Sequence, residues 1–166
     1  MQACRKHLYG SDSIRGKTVA VHGVGSVGYH LCKHLYDEGA KLIVTDIVQS
    51  KINRVIEEFG AIYVSPEDIY SVDCDIYAPC AMGATINDKT IPLLKAQIVC
   101  GGANNVLAHR THGQALQDRN ILYAPDYLAN AGGVINVCFE LSRDGYNKEA
   151  AFRDVDYIYY RMLDIL

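Results

Sequence analysis

Short apolar runs alternate with longer amphipathic stretches along most of this chain. The runs have the length and composition of buried strands, and the stretches between them have the three- and four-residue apolar spacing of helices. Strands are predicted at 18–22, 41–45, 61–64, 75–78, 97–100 and 121–123, and helices at 26–38, 49–59, 88–95 and 112–119. This alternation is typical of an α/β fold, with a parallel sheet covered by helices on both faces.

Beyond the sixth strand the pattern is helical only. Helices are predicted from about 133 to 142 and from 148 onward, and residues 1–16 are predicted to be a lead-in helix or linker. The last helix carries an apolar stripe, formed by Phe152, Val155, Ile158, Tyr159, Met162 and Ile165. We expect this stripe to be buried, against its own domain or against another one, and we expect residues 1–166 to form a single domain.

The first predicted strand runs directly into the glycine pattern GxGxxG, at Gly23, Gly25 and Gly28. Gly23 allows a sharp turn, Gly25 leaves room for a pyrophosphate, and Gly28 lets the helix pack close to the sheet. Phosphates would bind the free N–H groups at the start of the helix. The other predicted contacts of this turn are Val24, Ser26 and Val27. Ser26 also suits a helix-start residue that satisfies a free N–H.

Strand, glycine turn and helix together predict a Rossmann-type dinucleotide-binding domain, a doubly wound parallel sheet with strand order 3-2-1-4-5-6. Asp46 ends the second strand, where a carboxylate can accept hydrogen bonds from the adenosine ribose, and Ile47 lies beside it. A carboxylate there repels a 2′-phosphate, and no Arg follows it directly. The sequence therefore favours NAD over NADP as the cofactor.

Composition excludes several other classes of function. The formal net charge is −3, and the Lys and Arg residues are scattered, so nucleic acid is not an expected partner. No apolar run reaches the roughly 18 residues of a membrane span, and no signal peptide follows Met1, so we expect a cytoplasmic protein without membrane contact.

Cysteine and histidine spacing does not predict a metal site. The six cysteines form no CxxC pair and no cluster with histidine, and they are predicted to be reduced, mostly buried thiols. His30 and His34 are one helical turn apart, but Cys32 between them points to a different face. His109 and His112 are interpreted as a solvated surface pair.

Small residues dominate the segments that follow strands 4, 5 and 6, at 78–83, 101–105 and 130–134. In open α/β sheets the ligand binds at the carboxyl ends of the strands, so these segments should converge on the cofactor. The stretches 75–86, 102–105 and 124–137 resemble the cofactor domain of the glutamate/leucine/phenylalanine/valine dehydrogenases. The resemblance covers nearly the whole chain and is greatest to the members that act on leucine.

The resemblance implies reversible oxidative deamination, in which an L-amino acid and NAD give a 2-oxo acid, ammonium and NADH. The implied substrate is L-leucine or a related branched-chain amino acid, and a homo-oligomer is the implied native assembly. Phenylalanine- or tryptophan-type activity is the alternative within the family. A second alternative, from another class of protein, is an NAD-binding module that does not catalyse a reaction.

The resemblance also implies roles for individual residues. Cys80 and Ala81 would lie beside the adenosine-side ribose, although Cys80 equally suits a buried small residue. Ala103, Asn104, Asn105 and Asn130 would surround the nicotinamide end and the substrate, with Asn105 assigned to the substrate. Asn130 also suits a cap of the helix that follows it.

Val134 and Val137 are three residues apart and share one helical face. The resemblance places them in the substrate side-chain pocket, where ordinary core packing is the alternative. Such a pocket separates substrates that differ by one methylene by only about 1–3 kcal/mol, so leucine, isoleucine and valine are not ranked.

Two departures from the family pattern stand out. Ser26 occupies a position where Asn is frequent. The family's catalytic aspartate and two lysines, one of them in a glycine-rich segment, belong to an N-terminal domain, and this sequence contains no such glycine-rich lysine segment. We therefore expect no catalytic residue in this chain and negligible turnover by the chain alone.

Overall fold

The structure is a computed structural model that describes residues 1–142 and 145–166. Within that part of the chain, the strands form one six-stranded sheet in the order β3-β2-β1-β4-β5-β6, with every neighbouring pair parallel. The strands are β1 Thr18–His22, β2 Lys41–Thr45, β3 Ile62–Tyr63, β4 Ile76–Pro79, β5 Ile98–Val99 and β6 Leu122–Tyr123. This confirms the predicted fold class and strand order.

Helices cover both faces of the sheet. They are α1 Gln2–Tyr9, α2 Ser26–Asp37, α3 Gln49–Phe59, α4 Thr111–Asp118, α5 Asp126–Ala129, α6 Gly132–Glu140 and α7 Lys148–Ile165. Strand β1 alternates between two cores, because Val19 and Val21 pack in one cluster and Ala20 packs in the other. A strand buried on both faces explains why β1 is almost continuously apolar.

The predicted helix at 88–95 is wrong. Its place is taken by a single 3-10 turn, Ile91–Leu93, which ends when Leu94 adopts an extended conformation. Pro92 has no N–H to donate, and Thr90 Oγ1 accepts the Asn87 N–H at 3.0 Å and donates to the Thr85 carbonyl at 2.7 Å. These local bonds satisfy the backbone without a helix. The short helix α5 was not predicted.

The apolar stripe of α7 is buried only in part. Met162 is buried, and Val155, Ile158 and Tyr159 are half-buried, where α7 packs against α1 and α6. Phe152 is 58% exposed and Ile165 is 49% exposed, so these two residues are not buried against their own domain, and their burial against another domain stays a prediction. At about 100° per residue Phe152 lies about 80° around the helix from Met162, and Ala151 takes the buried position instead.

His112 is buried, so the prediction of a solvated histidine pair is wrong for that residue. Its Nδ1 accepts the His109 N–H at 2.9 Å, and its Nε2 lies 3.2 Å from the Asp88 carboxylate.

Of the six free thiols, Cys138 is exposed and Cys80 is half-buried, and the others are buried. None of the helices in the described ranges is both long enough and apolar enough to cross a membrane.

Candidate functional site

The turn after β1 needs glycine at its first position for two reasons. Gly23 has φ of +99°, a conformation that side chains other than glycine's rarely adopt. A Cβ added to Gly23 would also lie 2.6 Å from the Cβ of Ala81. The turn is fixed to the neighbouring strand, because the Gly23 N–H donates to the Thr45 carbonyl at 2.8 Å.

The other two glycines of the turn differ in their surroundings. A Cβ on Gly28 would lie 1.9 Å from the carbonyl oxygen of Gly23, so α2 packs directly against the turn. A Cβ on Gly25 would meet no atom within 4 Å, so the space above this residue is open. The three positions thus have the sharp turn, the close helix packing and the open approach that a bound pyrophosphate requires.

The start of α2 presents free backbone donors beside this open space. The Tyr29 N–H donates to the Gly25 carbonyl at 2.8 Å, and no side chain caps the helix. The N–H groups of Ser26, Val27 and Gly28, in the first turn of the helix, are therefore available to an anion, which the helix dipole also favours. Ser26 is the first residue inside the helix and caps no N–H, which corrects its alternative interpretation as a cap.

Asp46 is bonded to the turn itself. One carboxylate oxygen accepts the Val24 N–H at 2.8 Å, and the other accepts the Val48 N–H at 2.9 Å. Each oxygen has a second lone pair, so the half-buried carboxylate can still accept from a ribose hydroxyl. Ile47 beside it is 93% exposed. The sequence predicted the ribose contact but not the two backbone bonds.

The end of β4 lies against the same turn. The Cys80 N–H donates to the His22 carbonyl at 2.8 Å, and the Cys80 thiol accepts the Gly102 N–H at 3.4 Å. Burial raises the pKa of the Cys80 thiol to about 11, so it is protonated at neutral pH and is not a nucleophile. Cys80 and Ala81 are thus brought together with the glycine turn.

The loop after β5 is bonded to the end of α5. Asn130 donates from Nδ2 to the Ala103 carbonyl at 3.1 Å and to Asn104 Oδ1 at 2.5 Å. No side chain caps α6, so the interpretation of Asn130 as its cap is wrong. Asn105 is exposed, has φ of +51°, and accepts the Ala84 N–H on its carbonyl at 2.7 Å.

A cleft of about 600 Å³ separates the start of α2 from the start of α6. Its lining includes Val27, Leu31, Gly102, Asn104, Asn130 and Val134. Val134 is 68% exposed and Val137 is 50% exposed, so core packing within the described residues does not explain them. Val134 borders the cleft, whereas Val137 is not among its lining residues. The two valines give α6 an apolar surface beside the site.

A second cavity of about 330 Å³ lies on the other side of the turn and contains residues that the sequence reasoning missed. Lys51 and Arg54 line it together with Gly25. The Arg54 guanidinium lies 3.8 Å from the centre of the Tyr29 ring and bonds Glu58 at 2.8 Å. The sequence signal that could have identified them is the spacing of two basic residues, three positions apart in the helix that follows Asp46.

His22 was also missed. Its Nδ1 lies 2.8 Å from the hydroxyl of Tyr77, which is fully buried. Burial lowers the pKa of His22, while the charge of Asp46 opposes this shift. His22 therefore favours the neutral form, whose Nδ1 shares a hydrogen bond with the Tyr77 hydroxyl. Across the described ranges, no three His, Cys, Asp or Glu side chains are grouped as metal ligands.

Comparison with known proteins gives consistent matches. Residues 44–159 match the model of the Glutamate/Leucine/Phenylalanine/Valine dehydrogenase family. A leucine dehydrogenase from Bacillus cereus is 57% identical over 159 residues, which are 96% of this chain and 43% of that protein. A phenylalanine dehydrogenase from Lysinibacillus sphaericus is 47% identical, over 99% of this chain and 44% of that protein.

A solved structure has nearly the same fold. The L-tryptophan dehydrogenase from Nostoc punctiforme superposes with a TM-score of 0.94 at 45% identity, covering 98% of this chain and 49% of that one. The chain therefore spans about half the length, or slightly less, of the relatives it matches.

Proposed function

The chain belongs to the glutamate/leucine/phenylalanine/valine dehydrogenase family, and we propose that it is the NAD-binding domain of an amino acid dehydrogenase. The observation that carries this proposal is the glycine turn, which is open above Gly25 and bonded to Asp46 through the Val24 N–H. A turn of this kind accepts a pyrophosphate on backbone donors and a ribose on the adjacent carboxylate.

Each predicted site residue has a place in this proposal. The turn from Gly23 to Gly28 holds the pyrophosphate, and Asp46 with Ile47 holds the adenosine ribose. Cys80 and Ala81 border that ribose, and Ala103, Asn104 and Asn130 border the nicotinamide. When bound, the nicotinamide ring supplies the hydride acceptor and donor of the reaction. The described residues orient this ring and screen one side of it from water.

NAD is the proposed cofactor rather than NADP. Asp46 places a negative charge where a 2′-phosphate would lie, and Lys51 and Arg54 line the cavity beside Gly25. Glu58 already pairs with Arg54, which leaves less positive charge to offset the carboxylate. We expect NADP to bind about 5- to 150-fold more weakly than NAD, since one unfavourable contact with a charged group costs about 1–3 kcal/mol.

The proposed substrate is leucine or a related branched-chain amino acid. Val134 and Val137 present branched aliphatic side chains on the exposed face of α6. Asn105 is the other residue proposed to contact the substrate, and it directly follows Asn104, which lines the cleft. An aromatic amino acid is the alternative, since phenylalanine and tryptophan dehydrogenases share 47% and 45% of the aligned residues. The same apolar face would accept either class.

The acid and base groups of deamination are proposed to lie outside these 166 residues. The cleft is lined by amides, small residues and apolar side chains, with no Lys, Asp or Glu among its described lining residues. Such a lining can bind and orient a cofactor, but it contains neither the lysines nor the aspartate that the family resemblance assigns to the chemistry. Assembly into a homo-oligomer and a cytoplasmic location stay predictions.

The test is calorimetric titration of the chain with NAD and NADP, followed by an assay of NADH formation with L-leucine, L-valine and L-phenylalanine. We expect saturable NAD binding and no NADH above background. Absence of NAD binding by the folded chain would overturn the cofactor assignment. Leucine-dependent NADH formation would overturn the placement of the acid and base groups outside the chain.

The alternative, an NAD-binding module that does not catalyse a reaction, predicts a different surface on α6. A complete module would cover α6 with polar groups, whereas an enzyme domain that faces a partner across a cleft exposes apolar surface. The exposure of Val134, Val137 and Leu141 favours the enzyme domain. We expect a fluorescent dye for apolar surfaces to bind the chain, and we expect Val134→Lys with Val137→Lys to reduce that signal.

A further inference from the structure

Two thiols from distant parts of the sequence lie together beside the cleft. Cys4 belongs to α1, Cys100 directly follows β5, and both are part of the same core cluster. Cys4 is fully buried, whereas Cys100 is 5% exposed. Cys100 lines the cleft and also another cavity of about 330 Å³, between α1 and α7. A small molecule can therefore reach the Cys100 sulfur without unfolding of the chain.

The first turn of α1 is held against the end of β5. The Met1 nitrogen lies 3.2 Å from Cys100 Sγ, and the Arg5 N–H donates to the Met1 carbonyl at 3.0 Å. Cys4 lies three positions after Met1, so the two residues share one face of the helix. This face points toward Cys100, and the two thiols interact directly.

The interaction makes the two thiols unequal. The hydrogen bond to Cys100 raises the pKa of the Cys4 thiol, and burial acts in the same direction. The hydrogen bond from Cys4 lowers the pKa of the Cys100 thiol, although burial opposes this shift. Because the thiolate is the reactive form of cysteine, Cys100 is the more reactive member of the pair and Cys4 is its protonated neighbour.

We propose that Cys4 and Cys100 form a redox-active dithiol, which a hydroperoxide oxidises to a disulfide that joins α1 to the end of β5. The Cys100 thiolate attacks one peroxide oxygen, the O–O bond breaks, and hydroxide leaves and takes up a proton. The Cys4 sulfur then attacks the sulfenic sulfur of Cys100, and the S–O bond breaks. The released hydroxide takes the Cys4 proton. Two thiols are thereby oxidised, and one peroxide is reduced to two waters.

The disulfide would act on the wall of the cleft. Gly101 and Gly102 follow Cys100 directly, and both line the cleft. A covalent link from Cys100 to α1 fixes the start of this loop and closes a chain segment of nearly the whole domain. A disulfide across so long a segment strongly restricts the unfolded chain, so the oxidised form should resist unfolding.

The other thiols are poorer candidates for this reaction. Burial raises the pKa of Cys80 to about 11 and that of Cys32 and Cys74 to about 12, so these three thiols are protonated at neutral pH. Cys138 is exposed on α6. The competing interpretation is that Cys4 and Cys100 are also inert core residues, and it predicts no selective reaction between them.

The experiment is disulfide mapping of the folded chain after treatment with hydrogen peroxide. Free thiols are blocked by an alkylating reagent, and the digest is examined by mass spectrometry without reduction. We expect one linked pair of peptides, which carry Cys4 and Cys100 and have lost two hydrogen atoms, and we expect dithiothreitol to reverse the link. A parallel sample oxidised in urea shows which pairs form without the native structure.

Variants separate the two roles. In Cys4→Ala the link cannot form, and Cys100 should stop at the sulfenic acid, which dimedone traps. In Cys100→Ala we expect Cys4 to stay reduced. Cys74→Ala is the matched control, because it removes a buried thiol from the other core cluster, and it should give as much linked product as the unchanged chain. Thermal unfolding of each variant establishes that it is folded.

Urea unfolding measures the consequence of the link. We expect the midpoint to rise by about 1–2 M on oxidation of the unchanged chain, to return on reduction, and to stay constant in Cys4→Ala. The proposal is overturned if the folded chain gives no link between Cys4 and Cys100, if Cys80 takes the place of Cys4, or if the link forms only in urea. A midpoint that is unchanged or lower in the oxidised chain overturns it too. None of these outcomes bears on the proposed function, since no step involves NAD.

Discussion

The carboxylate of Asp46 accepts the backbone N–H of Val24 at 2.8 Å, which joins the acid at the end of β2 to the turn that leaves β1. A second bond, from the Val48 N–H at 2.9 Å, joins the same carboxylate to the start of α3. The acid thus fixes the glycine turn and its own position before any ligand binds. In the proposed function, this prepares the pyrophosphate and ribose contacts together.

Asp46→Asn should destabilise the chain as well as weaken NAD binding. The amide has one accepting oxygen, so one of the two backbone N–H groups would face an NH₂ group. Bonds to a charged group are worth about 1.5–3 kcal/mol, and we expect a loss of this order in the free energy of unfolding measured with urea. Asp37→Asn removes an exposed pair with Lys33, and we expect a much smaller loss because solvent screens exposed ion pairs. Equal losses in the two variants would show that Asp46 does not brace the turn.

Alanine substitutions at two glycines of the turn should affect different properties. Gly28→Ala should lower stability, and Gly25→Ala should weaken NAD binding. Gly28→Ala places a Cβ 1.9 Å from the Gly23 carbonyl oxygen, so we expect a loss of about 3 kcal/mol or more in unfolding experiments. Gly25→Ala meets no atom within 4 Å, and its stability should change by less than about 1 kcal/mol. The same Gly25 variant should bind NAD more weakly in calorimetry, because the methyl group occupies the space proposed for the pyrophosphate. Unimpaired NAD binding by Gly25→Ala would move the pyrophosphate elsewhere.

The orientation of α7 is tested by two large side chains on different faces. Met162 is 3% exposed and Phe152 is 58% exposed. Met162→Ala should lower the free energy of unfolding by about 2–5 kcal/mol, as for other large-to-small core substitutions. Phe152→Ala should lower it by less than about 1 kcal/mol. A larger loss for Phe152→Ala would mean that the helix is rotated from the orientation described.

Sequence periodicity predicted the sheet because its signal is the same in every buried strand. Apolar runs such as 18–22 and 41–45 are bounded by polar or glycine residues, and the crossover rules leave few possible orders for six parallel strands. The glycine spacing predicted the turn because a side chain at each of these positions would interfere with a different feature, namely the sharp turn, the bound pyrophosphate or the packing of the helix. Periodicity failed at 88–95, where Pro92 and the Thr90 hydroxyl override an apolar spacing typical of a helix.

The details of the site depended on contacts between residues far apart in the sequence. The bond between Asn104 and Asn130 spans 26 positions, and the bond between His22 and Tyr77 spans 55. Neither hydrogen bond produces a periodic pattern in the sequence from which it could be predicted. The exposure of Val134 also could not be predicted from the chain alone, because an apolar stripe has the same pattern whether it packs on its own domain or faces a cleft.

Protonation of His22 should destabilise the folded chain. Burial lowers the pKa of His22 in the folded state, and the Tyr70 and Tyr77 rings that face it carry no charge at neutral pH, so only Asp46 opposes the shift. As the pH falls below the unfolded value of about 6.5, the unfolded chain takes up this proton before the folded chain does. The His22 contribution to stability is therefore present above that pH and is lost as the pH falls from there toward the lower folded pKa.

His22→Gln should remove this part of the pH dependence. Urea unfolding between pH 8 and pH 5.5 should give a free energy that decreases less steeply with falling pH in the variant than in the unchanged chain. The window lies above the usual range for Asp and Glu, so carboxylate titration contributes little to the comparison. Tyr77→Phe should lower stability at pH 8 by about 1–3 kcal/mol, because it leaves a half-buried imidazole nitrogen without its hydrogen-bond partner. Parallel pH profiles for the unchanged chain and His22→Gln would show that His22 is equally easy to protonate in the folded and unfolded states.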